Sequence, residues 1–197
     1  AFARNALAVA LVDAKRPDEA LPHARAAVRH NDGLIDARVT LARCLVGLKR
    51  WDEAAAQYRH AAEAQPDNMS ILTGYAGALN DGDRKDEAAE VYETALAKKG
   101  DYLPVLINYA NLLKSRGNHD RAEALYRRAI EVAPTFSPTY NNLAVLLKDQ
   151  GRAEAALALF EKSEELDPAF VEGGSNRLFA MHYTPARRPD DIARAHR

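Results

Sequence analysis

One interval governs this sequence: 34 residues. Pro66, Gly100, Pro134 and Pro168 follow one another at that spacing, with Asp32 one interval earlier. Recurrence at a fixed period of this size marks a stack of small structural units, each unable to bury its apolar face alone. Setting those residues at position 32 divides the chain into units 1–34, 35–68, 69–102, 103–136 and 137–170. Position 8 is then alanine in every unit (Ala8, Ala42, Ala76, Ala110, Ala144), and so is position 20 (Ala20, Ala54, Ala88, Ala122, Ala156). Position 11 is always leucine. Position 24 holds Tyr58, Tyr92, Tyr126 and Phe160 after Ala24, and position 27 is alanine until Ser163 replaces it. Within each unit the apolar residues form two stripes at helical spacing, as in 103–116 and 120–132, so the expectation is all-α.

These columns resemble the tetratricopeptide repeat, whose sparse signature has a small residue at position 8, alanine at 20, an aromatic at 24 and proline near 32. The resemblance covers residues 1–170. It implies an α-solenoid of five helix-turn-helix repeats wound into a right-handed superhelix, with an inner groove lined by the first helix of each pair. Small residues at 8, 20 and 27 would let neighbouring helices approach closely. Gly117 and Gly151 fall in the turn between paired helices, where a positive φ is easy for glycine. Pro104 and Pro138 fall in the first turn of theirs, where a missing N–H is harmless.

Composition narrows the function classes. Lys+Arg 27 against Asp+Glu 28 gives a formal charge of -1, so a general binder of nucleic acid is not the expectation. The lone cysteine, Cys44, rules out an intramolecular disulfide and a cysteine-rich metal framework, and a reducing, cytoplasmic setting is the expectation. No apolar run approaches the roughly 18 residues of a membrane span. Phe2–Val12 already reads as helix without a polar cap, so the N-terminus is expected to be a boundary made by processing or cloning.

Beyond residue 170 the repeat runs on for half a unit and then breaks. Residues 171–183 read as a capping helix, 184–189 as a Pro-rich connection, and Pro189-Asp190-Asp191 as the start of one more helix, making 184–197 a linker with a truncated helix. Ser175, Asn176, Leu178, Phe179, Tyr183 and Pro185, followed by Asp190, Asp191, Ile192, His196 and Arg197, resemble a junction in bacterial proteins of the O-linked N-acetylglucosamine transferase (SPINDLY-like) family. There such an array leads into two lobes that bind a nucleotide sugar. The resemblance implies that this chain is the substrate-recognition arm of a protein glycosyltransferase. Chemistry and the UDP-GlcNAc-type donor would belong to a domain beyond Arg197. The chain itself is expected to carry no catalytic residue, cofactor or metal.

On the groove face, position 6 holds Thr40, Gly74, Asn108, Asn142 and Asn176, and Asn111 adds a further asparagine one turn along. Asparagine inside a helix is disfavoured against alanine by roughly 0.6 kcal/mol, so a recurring column of them asks for a reason. A carboxamide can pair with both the N–H and the C=O of an extended peptide. The resembled transferases carry such a ladder for gripping polypeptide backbone. On that resemblance Asn108, Asn142 and Asn176 are the expected peptide contacts, with Asn111 and Thr40 secondary. Gly74 and Gly77 interrupt the ladder and place the expected site in the C-terminal half. The competing reading has the asparagines bonding one another or nearby backbone and fixing the stack. A freestanding scaffold for protein assembly is the alternative function.

Other constellations carry less. A clamp for a C-terminal carboxylate of the kind found in chaperone-binding tetratricopeptide domains is matched at Asn111 and Asn142, but on that resemblance lysines are needed where Ile107 and Glu172 stand. His23, His30, His60, His119, His182 and His196 show no metal-ligand spacing. Cys44 is expected to be a packed residue, and Trp51 and the position-24 aromatics are expected in the core. Gly74 and Gly77 sit inside a helical pattern and form no phosphate loop.

Overall fold

A computed structural model describes residues 1–169 of the chain. Among them stand ten helices in five pairs: α1 (Phe2–Asp13) with α2 (Pro17–His30), α3 (Ile35–Gly47) with α4 (Trp51–Ala64), α5 (Met69–Asp81) with α6 (Lys85–Lys98), α7 (Leu103–Ser115) with α8 (His119–Val132), and α9 (Ser137–Asp149) with α10 (Ala153–Leu166). Every pair falls inside one 34-residue unit. The fold is the all-α array of five helix-turn-helix repeats that the spacing predicts. The expected capping helix at 171–183 and the linker and truncated helix at 184–197 lie outside the described residues, as does Asn176.

The columns of small residues do what close packing requires. Positions 8 and 20 are alanine with no exposed surface in all five units, and position 27 is equally buried as Ala27, Ala61, Ala95, Ala129 and Ser163. A larger side chain there would separate the helices, because a close-packed interior has no spare volume. Ser163 breaks the alanine column for a visible reason. Its hydroxyl donates to the Ser137 carbonyl at 3.1 Å, while the Ser137 hydroxyl donates to the Ser163 carbonyl at 3.0 Å, so both buried hydroxyls are satisfied across α9 and α10. The position-24 aromatics are buried as expected. Trp51 departs from expectation and is only half-buried, as the first residue of α4 beside the turn.

One turn geometry repeats five times. The residue at position 15 has a left-handed backbone in every unit: Gly117 (φ 75°) and Gly151 (φ 77°), but also Lys15 (φ 58°), Lys49 (φ 57°) and Asp83 (φ 61°). The next N–H returns to the carbonyl of the position-11 leucine, as in Arg50 to Leu45 at 2.8 Å and Arg152 to Leu147 at 2.9 Å. This 6→1 bond is accompanied by a second from position 15 to position 12, as in Lys49 to Val46 at 2.9 Å, which together satisfy two carbonyls left open at the helix end. The position-11 leucine thus terminates its helix through its backbone as well as filling space with its side chain.

Residue contacts group the chain into two units, Ala1–Val105 and Leu106–Arg197. In the first, each helix from α1 to α6 packs on the next, and α1 also touches α3. In the second, α8 packs on α9 and α9 on α10.

Candidate peptide-binding face

The site-bearing helices of the second unit owe their faces to period. In α7 the buried residues Leu106, Tyr109, Ala110, Leu112 and Leu113 point one way, and Ile107, Asn108, Asn111 and Lys114 are left half-buried on the other. In α9 the same offsets leave Asn142, Val145 and Lys148 half-buried. Positions 6, 9 and 12 therefore form a largely polar row on each helix, ending in a lysine. Sequence reasoning misses these lysines, although the 34-residue register alone puts them in line with the asparagines.

Among the described residues the side chains of Asn108 and Asn142 make no hydrogen bond, and neither amide is buried and unsatisfied. Each carboxamide keeps its donor and acceptor groups open on this face. Asn111 differs: its Oδ1 accepts the Tyr126 hydroxyl at 2.5 Å, which ties α8 to α7 and leaves the Asn111 amide NH₂ as the remaining group. Burial pushes the Tyr126 phenol well above its ordinary pKa, so it stays a donor throughout the working pH range.

Thr40 stands apart. It is only 3% exposed, and its hydroxyl donates to the Asp36 carbonyl at 2.8 Å within its own helix. Gly74 has a packing reason: a Cβ built on it would lie 2.6 Å from Cε1 and Cζ of Tyr58. The ladder is broken there to seat an aromatic ring. Gly77 meets nothing within 4 Å.

Other sequence candidates reduce to structure. Cys44 is fully buried, and burial pushes its thiol up to about 11, the opposite of an activated nucleophile. No cluster of three or more His, Cys, Asp or Glu able to hold a metal occurs among the described residues. No described helix is long and apolar enough to cross a membrane.

Comparison with known proteins agrees with the repeat register. Family matches described as tetratricopeptide repeat cover residues 11–76 and residues 101–169. The chain belongs to the tetratricopeptide repeat family. No curated protein matches the sequence. Solved structures similar to this tetratricopeptide array include TTC0263, a thermophilic repeat protein of Thermus thermophilus, at 22% identity and a TM-score of 0.76 over 92% of this chain and 98% of that one. PilW, a type IV pilus biogenesis factor, aligns at 20% identity and a TM-score of 0.82 over 98% of this chain and 87% of that one. A tetratricopeptide repeat protein from Parabacteroides merdae ATCC 43184 aligns at 18% identity and a TM-score of 0.77, over 99% and 75%. At these identities the likeness is one of fold.

Proposed function

We propose that this array is a non-enzymatic scaffold that holds an extended stretch of partner polypeptide along the first helices of its second unit, within the cytoplasm. The observation that carries the reading is the pair Asn108 and Asn142, one repeat apart, half-buried, with carboxamides that bond to nothing among the described residues. Asn111, held by Tyr126, offers its NH₂ as a further donor, and Asn176 continues the column in sequence. Thr40 takes no part, because its hydroxyl is spent inside its own helix.

Magnitudes set the expectation. Hydrogen bonds at about 1 kcal/mol each, offset by roughly 2–5 kcal/mol for ordering the peptide, give micromolar to millimolar affinity. Such a module works by holding partners near one another and raising local concentration. The likeness to a pilus biogenesis factor fits a role in assembly. The test is calorimetric titration with an unfolded polypeptide. The double variant Asn108→Ala/Asn142→Ala should weaken binding by about tenfold or more, since each lost bond is worth several-fold. Unchanged affinity in a folded double variant overturns the reading.

A second reading rests on the sequence of residues 175–197, with its resemblance to the junction of O-linked N-acetylglucosamine transferases. In it the same face would present acceptor protein to a glycosyltransferase domain using a UDP-sugar. The comparisons favour the scaffold. Joining the array to such a transferase domain and measuring acceptor modification separates the two: the second reading requires that Asn108→Ala/Asn142→Ala lowers modification while donor binding is retained.

A further inference from the structure

The third repeat differs from the others on its first helix. It carries glycine at both positions 6 and 9, Gly74 and Gly77, where the second has Thr40 and Arg43 and the fourth has Asn108 and Asn111. Gly74 makes room for Tyr58, whose hydroxyl oxygen would lie 2.8 Å from a Cβ placed there. A Cβ on Gly77 would meet nothing within 4 Å, so packing gives no reason for a residue that weakens the helix. The two glycines leave a hollow one side chain deep on the face of α5, with the Tyr58 hydroxyl at its edge.

That hydroxyl is the second observation. Tyr58 is only 6% exposed, yet its oxygen is not sealed from solvent and makes no hydrogen bond among the described residues. Its counterpart Tyr126 donates to Asn111, at position 9 of its own repeat. In the repeat of Tyr58, position 9 is Arg43, which has no acceptor to offer. Arg43 gives one N–H to Asp13 at 2.6 Å and keeps its other donors. Burial raises the Tyr58 phenol pKa and the Arg43 charge partly offsets the rise, so the two groups are neighbours. Two donors converge beside the hollow, and no acceptor answers them.

Nearby charge decides which acceptor fits. Asp81 stands four residues beyond Gly77 and Asp36 seven before Arg43, each on the same face of its helix. Both are exposed, and neither forms an ion pair among the described residues. A carboxylate entering the hollow would be repelled by them and would compete with Asp13 for Arg43; a neutral carbonyl would not. Cationic groups flanking that carbonyl would be drawn to Asp36 and Asp81. We propose that the first unit holds a second binding site, in which Tyr58 and Arg43 donate to a main-chain carbonyl of a basic, extended polypeptide whose backbone enters the hollow at Gly77. The site uses no residue of the asparagine face, so either can fail alone.

The probe is a capped peptide of alternating lysine and glycine, with its glutamate counterpart as control. Each is titrated into the full chain while the Gly74 and Gly77 amide shifts are followed. The lysine peptide should move both amides and the glutamate peptide neither. Tyr58→Phe should weaken binding about fivefold, the loss of one hydrogen bond. Asp36→Asn/Asp81→Asn should weaken it several-fold and flatten its salt dependence. Gly77→Leu, which fills the hollow with a better helix former, should abolish binding in a folded chain. Absent shifts at millimolar peptide, equal binding of the glutamate peptide, unchanged affinity in Tyr58→Phe, or full affinity in folded Gly77→Leu overturns the site. Without peptide, movement of the two amides in Arg187→Glu/Arg188→Glu would put the chain's own basic run there and overturn the separate polypeptide.

Discussion

A Cβ on Gly74 would lie 2.6 Å from the ring of Tyr58, whereas a Cβ on Gly77, one turn along the same helix, would touch nothing within 4 Å. Mid-helix glycine gives up roughly 0.5–1 kcal/mol relative to alanine. At Gly77 that sum is recoverable; at Gly74 it is outweighed by overpacking against a buried ring, at about 1–3 kcal/mol. Gly77→Ala should therefore stabilise the array and Gly74→Ala destabilise it, read by urea unfolding. Trimming the ring with Tyr58→Leu should make Gly74→Ala better tolerated than in the parent.

The turn residues at position 15 give a paired prediction. A side chain in the left-handed region carries strain of roughly 1–2 kcal/mol, part of which glycine returns through the unfolded state. Lys49→Gly should stabilise by about 0.5–1 kcal/mol, and Gly151→Ala should destabilise by about 1 kcal/mol. Equal responses at the two sites would contradict a shared turn.

Thr139 is fully buried with a hydroxyl that finds no partner, at the position where Val105 stands one unit earlier. Thr139→Val keeps the shape and removes the orphaned polar atom, so it should stabilise by about 1–2 kcal/mol. Chemical denaturation at constant m-value is the check.

Glu123 makes stability depend on pH. Its carboxylate is partly desolvated, which raises its pKa, yet hydrogen bonds from Arg127 at 2.7 Å and Arg152 at 2.6 Å, with their charge, hold it below the ordinary carboxylate value. A group whose pKa is depressed on folding contributes stability above its unfolded pKa and loses it as pH falls through the folded value. Glu123→Gln should cost about 0.5–1 kcal/mol at pH 7, because both arginines are about half exposed and solvent screens the pairs. That difference should begin to shrink as pH drops below the ordinary glutamate pKa and vanish below the folded one. A difference constant from pH 7 to pH 2 would contradict the ion-pair account.

The repeat register made the fold legible because its alanines encode contact distance, a property local enough to print itself in the sequence. The turns were half legible. Gly117 and Gly151 announce a positive φ, but Lys15, Lys49 and Asp83 adopt it through the 6→1 bond to a leucine carbonyl, which no side-chain preference reveals. At the candidate site, periodicity placed Asn108 and Asn142 on an accessible face, while the fates of Asn111 and Thr40 depended on neighbours. The Tyr126 hydroxyl reaches Asn111 only once α7 and α8 are packed, and Thr40 is sealed by its own helix and the surrounding stack.

On the proposed function, Asn108 and Asn142 read polypeptide backbone and not side chains. The most direct measurement compares the affinity of one bound extended peptide with that of backbone N-methylated versions, in parent and Asn108→Ala/Asn142→Ala chains. Methylating a contacted amide should weaken binding to the parent several-fold per bond and do little in the double variant, while side-chain exchanges leave affinity nearly unchanged. Affinity that follows side-chain identity and ignores N-methylation would contradict it.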